Sequence, residues 1–233
     1  VTYIKNPEVA LSALFDQFQE LGIDYVDTLF WGWIGAKDES AFNECLSLSP
    51  DLRGPNTVYQ RTIEKMMGVS ERLKKMGAVR YIGASFHDLD LAHQYLDSSL
   101  LDVVMVRHNV SHRSAQHQVF NCLDAQNPHR PGISTFKSTG SHSGVLWDAP
   151  VGLPEGCWQP SVPDLYRYSL SQNCVDVCLT GMRNRAEIDL AIAGMRQGKM
   201  TQAELDYLNI YGDLHRNRIN IQDISENRLI YRS

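Results

Sequence analysis

The stretch Lys75-Met-Gly-Ala-Val-Arg-Tyr-Ile-Gly-Ala-Ser85 contains the end of one element and the whole of the next. Upstream of it, Val58, Ile63, Met66, Met67, Val69 and Leu73 recur at helical spacing, which predicts a helix over 57–75. Gly77 is placed to stop that helix, because glycine enters the left-handed conformation a helix end requires. Residues 79–85 are then short, apolar and rich in β-formers, which reads as a buried strand. The unit is helix, glycine, strand.

The same unit recurs on both sides. Upstream, Asn6 and Pro7 suit a helix start, and Val9, Leu11, Leu14, Phe15, Phe18 and Leu21 carry the helical period to Gly22. Residues 24–31 follow as a strand. Downstream, strands are predicted at 102–107, 132–137 and 175–180. Helices are predicted at 89–96, 114–123, from Pro163 to about Gln172, at 186–196 and at 202–211. Two long loops, 32–56 and 138–162, interrupt the pattern, and the tail 213–233 has no clear period. Strict alternation of short strands and helices implies βαβ units and a parallel sheet covered by helices. Five strands fit part of an eight-stranded barrel or an open doubly wound sheet, and spacing leaves both open.

Composition narrows the function classes. A chain of 233 residues that is 43% apolar suits one globular domain, 1–233. A net charge of −5 gives no basic field for nucleic acid or an anionic membrane. No apolar run is long enough to span a bilayer, and the first residues do not read as a signal peptide. Five cysteines without CxxC spacing are expected to be reduced thiols of a cytoplasmic protein. The chain opens on Val1, so a processed, truncated or partial chain is expected. His87, His108 and His112 lack the spacing of a metal motif and read as rim or surface histidines, so no metal is expected. Met66 and Met67 read as helix packing.

Five segments in register resemble the aldo-keto reductases. Leu21-Gly-Ile-Asp-Tyr-Val-Asp27 is similar to that family's LG-x-DY-[IV]-D junction before the fourth barrel strand. Lys75–Ser85 is similar to its G-K-[IV]-R-x-I-G-[VA]-S segment. Asp102-Val-Val-Met-Val-Arg-His-Asn109 resembles the sixth strand, Gly132-Ile-Ser-Thr-Phe-Lys137 the seventh, and Leu179-Thr-Gly-Met-Arg-Asn184 the eighth strand with its phosphate loop. The resemblance runs from residue 7 to about residue 212. It implies an α/β fold of the (β/α)8 TIM-barrel type, comprising strands four to eight and lacking the first three at the N-terminus, with the site at the C-terminal strand ends.

The resemblance also implies a site. The family's general-acid Tyr, with its Lys and Asp, lies on strands one to three, so no catalytic residue can be assigned in this chain. The substrate-orienting His of the fourth strand falls at Gly32. Two positions that hold the nicotinamide carboxamide fall at Phe86 and Met105, and the Asn near the adenine falls at Ala191. None of these offers the donor and acceptor that an amide or a base requires. Ser85, Lys137, Ser138 and Arg183 remain as candidate cofactor-binding residues, toward the phosphates of NADP. Thr139–Gly144 reads equally as a phosphate loop and as a plain glycine-rich connection. Arg183 and Arg185 could instead pair with Glu187 or Asp189 on a helix surface. Trp33, His87, His108 and Asn109 are the candidate substrate pocket, whereas Trp31 reads as core. Three readings follow. The first is a degenerate aldo-keto-reductase-like protein that keeps a rim pocket for a phosphate-bearing small molecule. The second is an NADP-linked carbonyl/alcohol oxidoreductase whose Asp, Tyr and Lys come from a segment outside this chain. The third is a non-redox enzyme or binding subunit completed by a partner chain or by self-association.

Overall fold

A computed structural model describes residues 7–34, 55–141 and 144–216, with side chains described for 11–32, 65–140 and 145–216. The N-cap expected at Asn6, the loop at 35–54, His142 and Ser143, and the tail from 217 lie outside the described residues. The chain forms two compact units, residues 1–105 with 128–131, and residues 106–127 with 132–233.

The first unit contains helix α1 (Pro7–Leu21), strand β1 (Val26–Ile34), helix α2 (Pro55–Lys75), strand β2 (Val79–Phe86), helix α3 (Leu89–Gln94) and the start of strand β3 (Val103–Arg107). The two predicted glycine stops act as such. Gly22 and Gly77 have φ of 65° and 74°. Beside them, the Ile23 amide donates to the Phe18 carbonyl and the Ala78 amide to the Leu73 carbonyl, which satisfies carbonyls the helix ends leave open. Strands β1 and β2 then pair in parallel, Val26 opposite Val79. Trp31 is buried, with its indole N–H donating to Ser70 Oγ at 2.8 Å. Met66 and Met67 pack in the same core. Asp102 ties the entry of β3 to its neighbours. One carboxylate oxygen accepts from the Ile82 amide at 2.7 Å and from Lys74 Nζ at 2.6 Å.

The second unit contains the end of β3, helix α4 (Ser114–Gln118), a 3-10 turn (Phe120–Cys122), strand β4 (Gly132–Phe136), a short hairpin β5 (Gly140–Ser141) and β6 (Gly144–Val145), helix α5 (Val162–Leu170), strand β7 (Val175–Cys178), helix α6 (Arg185–Arg196) and helix α7 (Gln202–His215). Strands β4 and β7 are parallel, and Asp176 accepts from the Ile133 amide at 2.8 Å. The main sheet has the order β1-β2-β3-β4-β7, so neighbours in the sheet are neighbours along the chain. A doubly wound sheet reverses its order at a switch point. This sheet does not, which decides the alternative that spacing left open. Among the described residues no helix is long and apolar enough to cross a membrane.

Several element ends differ from the sequence reading. The predicted helix at 114–123 breaks at Val119, whose φ and ψ of −128° and −63° leave only a 3-10 turn beyond it. The loop after β4 contains the hairpin, whose two-residue strands are too short for a period to show. Helix α7 runs four residues past Tyr211. Gly212 therefore lies inside a helix, and it serves a close approach. A Cβ there would strike the carbonyl of Val110. The Gly212 carbonyl accepts from Ser111 Oγ at 3.0 Å, and Arg113 clamps the same contact, donating to both oxygens of Asp213 at 2.7 Å. On an open helix, glycine to alanine stabilises by about 1 kcal/mol. Here the sign reverses: Gly212→Ala is expected to lower unfolding free energy by about 2 kcal/mol through overpacking, read as a lower urea midpoint at unchanged slope.

Candidate functional site

Strand ends in each unit carry the residues singled out from sequence. In the first unit, Ser85 is buried near the end of β2 and His87 is exposed just beyond it. Phe86 is buried, its ring stacked on Tyr95 with centroids 6.0 Å apart. Met105 is buried in β3, and Gly32 is buried in β1. Trp33 belongs to β1, and its side chain lies outside the described residues.

In the second unit the polar candidates fall into one buried seam. His108 and Asn109 leave the end of β3, Lys137 and Ser138 leave β4, and Cys178 ends β7. Asn109 is fully committed. Its amide donates to the Lys137 carbonyl at 2.8 Å, and its Oδ1 accepts from the backbone of Ser111 and His112 at 3.0 and 2.8 Å. This strap holds Lys137 in the left-handed region at φ 58°, a conformation that non-glycine residues seldom adopt. Ser138 Oγ and Cys178 Sγ share a hydrogen bond at 3.0 Å, and Ser169 Oγ donates to Ser138 Oγ at 3.1 Å. Burial pushes the Cys178 thiol up, against hydrogen bonds from Ser138, Thr135 and Ser169 that lower it. It is therefore a weak nucleophile at neutral pH.

His108 closes the seam. Its ring is stacked on Tyr168 at 5.4 Å and meets Phe120 edge-on at 5.1 Å. Nδ1 faces Ser169 Oγ and Nε2 faces the amide nitrogen of Gln116, each at 3.3 Å. Ser169 Oγ donates its proton to Ser138, so it accepts from His108 and the ring proton belongs on Nδ1. The candidate pocket from sequence is thus dispersed. His108 and Asn109 are interior, while His87 is exposed in the other unit.

The second unit also has an open cleft of about 460 Å³. Thr139 brings the loop after β4 to it, and Gly181, Met182 and Arg183 bring the loop after β7. Helix α6 contributes Glu187, Leu190 and Ala191. Tyr166 of α5 and Trp147 of the loop provide aromatic walls. The Arg183 side chain is 88% exposed and lies 3.5 Å from Glu187, and Arg185 lies 3.6 Å from Asp189. Both helix-surface pairs foreseen from sequence are present. Asn184 caps α6, its Oδ1 accepting from the Glu187 amide at 3.0 Å. Glu187 answers by accepting from the Arg183 amide at 2.8 Å. Of the candidate cofactor and pocket residues only Arg183 lines this cleft, together with Thr139 of the glycine-rich connection and Ala191 at the adenine position. Trp147 and Tyr166 were not singled out, because nothing local in sequence marks a loop Trp or a helix Tyr as facing a cavity, and Glu187 was named only as a surface partner of the arginines. The one available signal was the capping box Ser161–Asp164, which fixes where α5 begins.

The sequence matches no protein-family model and no curated protein. Solved structures do match. An aldo-keto reductase from Bacillus halodurans in its holo form aligns over 88% of this chain and 65% of its own, at TM-score 0.61 and 16% identity. A Bombyx mori aldo-keto reductase in complex with NADP aligns over 97% and 70%, at TM-score 0.59 and 16% identity. An aldo/keto reductase from Brucella melitensis aligns over 88% and 68%, at TM-score 0.58 and 15% identity. The chain has the aldo-keto reductase fold. It spans about 65% of the length of the Bacillus protein. At these identities the likeness carries the α/β barrel-type architecture and no residue roles.

Within this aldo-keto reductase fold, His108 has a measurable consequence. Burial, then the Arg113 guanidinium, lower its pKa from 6.5 to about 3. The native ring stays neutral where the unfolded ring takes a proton. His108 thus contributes stability that is fully present above pH 6.5 and is lost progressively as pH falls from 6.5 toward 3. Its share of the slope is at most about 1.4 kcal/mol per pH unit. Unfolding free energy measured between pH 7 and pH 4.5 is expected to fall more steeply in the wild type than in His108→Phe. Equal slopes would show that His108 does not carry the effect.

Proposed function

We propose that this chain is an aldo-keto-reductase-like protein with a degenerate nicotinamide site. On this reading it keeps a rim cleft for a phosphate-bearing small molecule. The cleft beside α6 carries the proposal. It joins the exposed Arg183 guanidinium, paired with Glu187 at 3.5 Å, and Thr139 to the aromatic faces of Trp147 and Tyr166, a combination suited to a phosphate with an attached base or sugar. Lys137, two residues before Thr139, is assigned to the phosphate as a second cation.

NADP is the cofactor this fold suggests, since the Bombyx mori relative is in complex with it. The two ends of such a molecule fare differently here. The phosphate end meets a cleft with suitable groups. The nicotinamide end meets none at the expected positions: Gly32 has no side chain, the Phe86 ring is buried against Tyr95, and Met105 is buried. A carboxamide needs a donor and an acceptor, and none of these supplies either. No hydride-transfer step is derived for this chain.

Titration of the purified chain with ADP and with NADPH, followed by tryptophan fluorescence, tests the reading. Both ligands are expected to bind with similar affinity, because the nicotinamide half adds nothing. Arg183→Ala is expected to weaken each about fivefold, the loss of one exposed charge-assisted contact. NADPH bound at least a hundredfold tighter than ADP, with carbonyl-dependent oxidation, would overturn the proposal and make the chain a working oxidoreductase.

A further inference from the structure

Arg183, the cation assigned to the phosphate, has an acidic neighbour. Of the described residues that line the cleft, Arg183 and Glu187 are the charged ones, and they face each other at 3.5 Å. The carboxylate holds more than the guanidinium. Glu187 Oε2 accepts from the Arg183 backbone amide at 2.8 Å, and Oε1 accepts from the Asn184 side-chain amide at 3.1 Å. A phosphate beside Arg183 needs these same donors. Hydrogen bonds to an ionised acceptor are among the stronger ones, so a weak ligand does not take them.

The start of α6 does not depend on this carboxylate. Asn184 Oδ1 accepts from the Glu187 backbone amide at 3.0 Å, and that bond caps the helix whatever the Glu187 side chain does. The side chain can therefore rotate away from Arg183 while the helix keeps its first turn. Asp189 carries the same charge two residues further on. It lies outside the cleft lining, its side chain 63% exposed and 3.6 Å from Arg185.

We infer that Glu187 is an internal competitor of the cleft: its carboxylate occupies the donors that a phosphate would use, and a ligand binds there by displacing it. The inference rests on the reading of the cleft as a phosphate site. It also names the ligand class. A terminal phosphate brings about two charges and three acceptor oxygens, so it can replace every bond that the departing carboxylate gives up.

Titration of the full 233-residue chain with ADP and with adenosine, followed by tryptophan fluorescence, tests this in the wild type, Glu187→Gln and Asp189→Asn. Glu187→Gln keeps the shape of the side chain and removes its charge. It is expected to tighten ADP about tenfold, because charge-assisted bonds no longer oppose the phosphate, and to leave adenosine within about twofold. Asp189→Asn is expected to change ADP by less than about twofold, the size of a screened surface charge. Far-ultraviolet circular dichroism identifies any variant that fails to fold, and Glu187→Ala, which keeps the Asn184 cap, is expected to shift ADP in the same direction. Equal ADP affinity in wild type and Glu187→Gln overturns the competitor and leaves the cleft reading in place. So does weaker binding in the variant, which makes Glu187 a support of the site, or an equal gain from Asp189→Asn, which makes the effect one of net charge. ADP bound by Glu187→Gln but not by the wild type supports the inference, since the carboxylate then closes the cleft outright. ADP bound by neither overturns the cleft reading and the competitor together.

Discussion

The second unit depends on a polar seam whose central members, Ser138, Ser169 and His108, are buried and must satisfy one another. Cys178, Ser138, Ser169 and His108 each hold the next within 3.0 to 3.3 Å, and Gln116, whose amide nitrogen lies 3.3 Å from His108, donates to Tyr168 and Gln172 at 3.1 and 2.8 Å. Buried groups of this kind cost little when paired and a great deal when one partner is lost. The seam therefore admits few rearrangements. It fixes the ends of β3, β4 and β7 against α5, and with them the two loops that lead to the cleft. Burial also pushes the Tyr168 hydroxyl up to about 12, so it stays protonated and donates to Asn209 of α7 at 2.6 Å.

Helix α7 is the second support. It meets the chain after β3 at backbone distance through Gly212, and Arg113 reaches across to Asp213 and to the carbonyls of Val110 and Asn209. Tyr211 extends the same helix to the cleft loop, its hydroxyl lying 3.0 and 2.8 Å from the carbonyls of Leu146 and Asp148. Trp147 stands between those two residues. An aromatic wall of the cleft is thus positioned by a helix that contributes nothing to its lining.

Much of the fold was legible because its signals are local. The glycines at 22 and 77 end helices by their own conformational freedom, and alternating short apolar runs leave little but parallel β/α units. Strand order needed the structure, since spacing does not distinguish a sequential sheet from a reversing one. Gly212 shows the limit of a local signal: in sequence it resembles a stop, whereas a contact a hundred residues away makes it a packing residue. The site was less legible. Asn109 and His108 look available in sequence because their hydrogen-bond partners, Lys137 and Ser169, are distant along the chain. Arg183 was found because Leu179–Asn184 resembles a family segment, the eighth strand with its phosphate loop.

That cap has a further consequence. The first turn of α6 carries partial positive charge from amides that no carbonyl answers, and Glu187 already lies over it, bonded to the Arg183 amide and facing the guanidinium. The protein has supplied its own anion. A negatively charged guest entering the cleft competes with a tethered carboxylate, so its affinity is set by how readily that side chain swings aside.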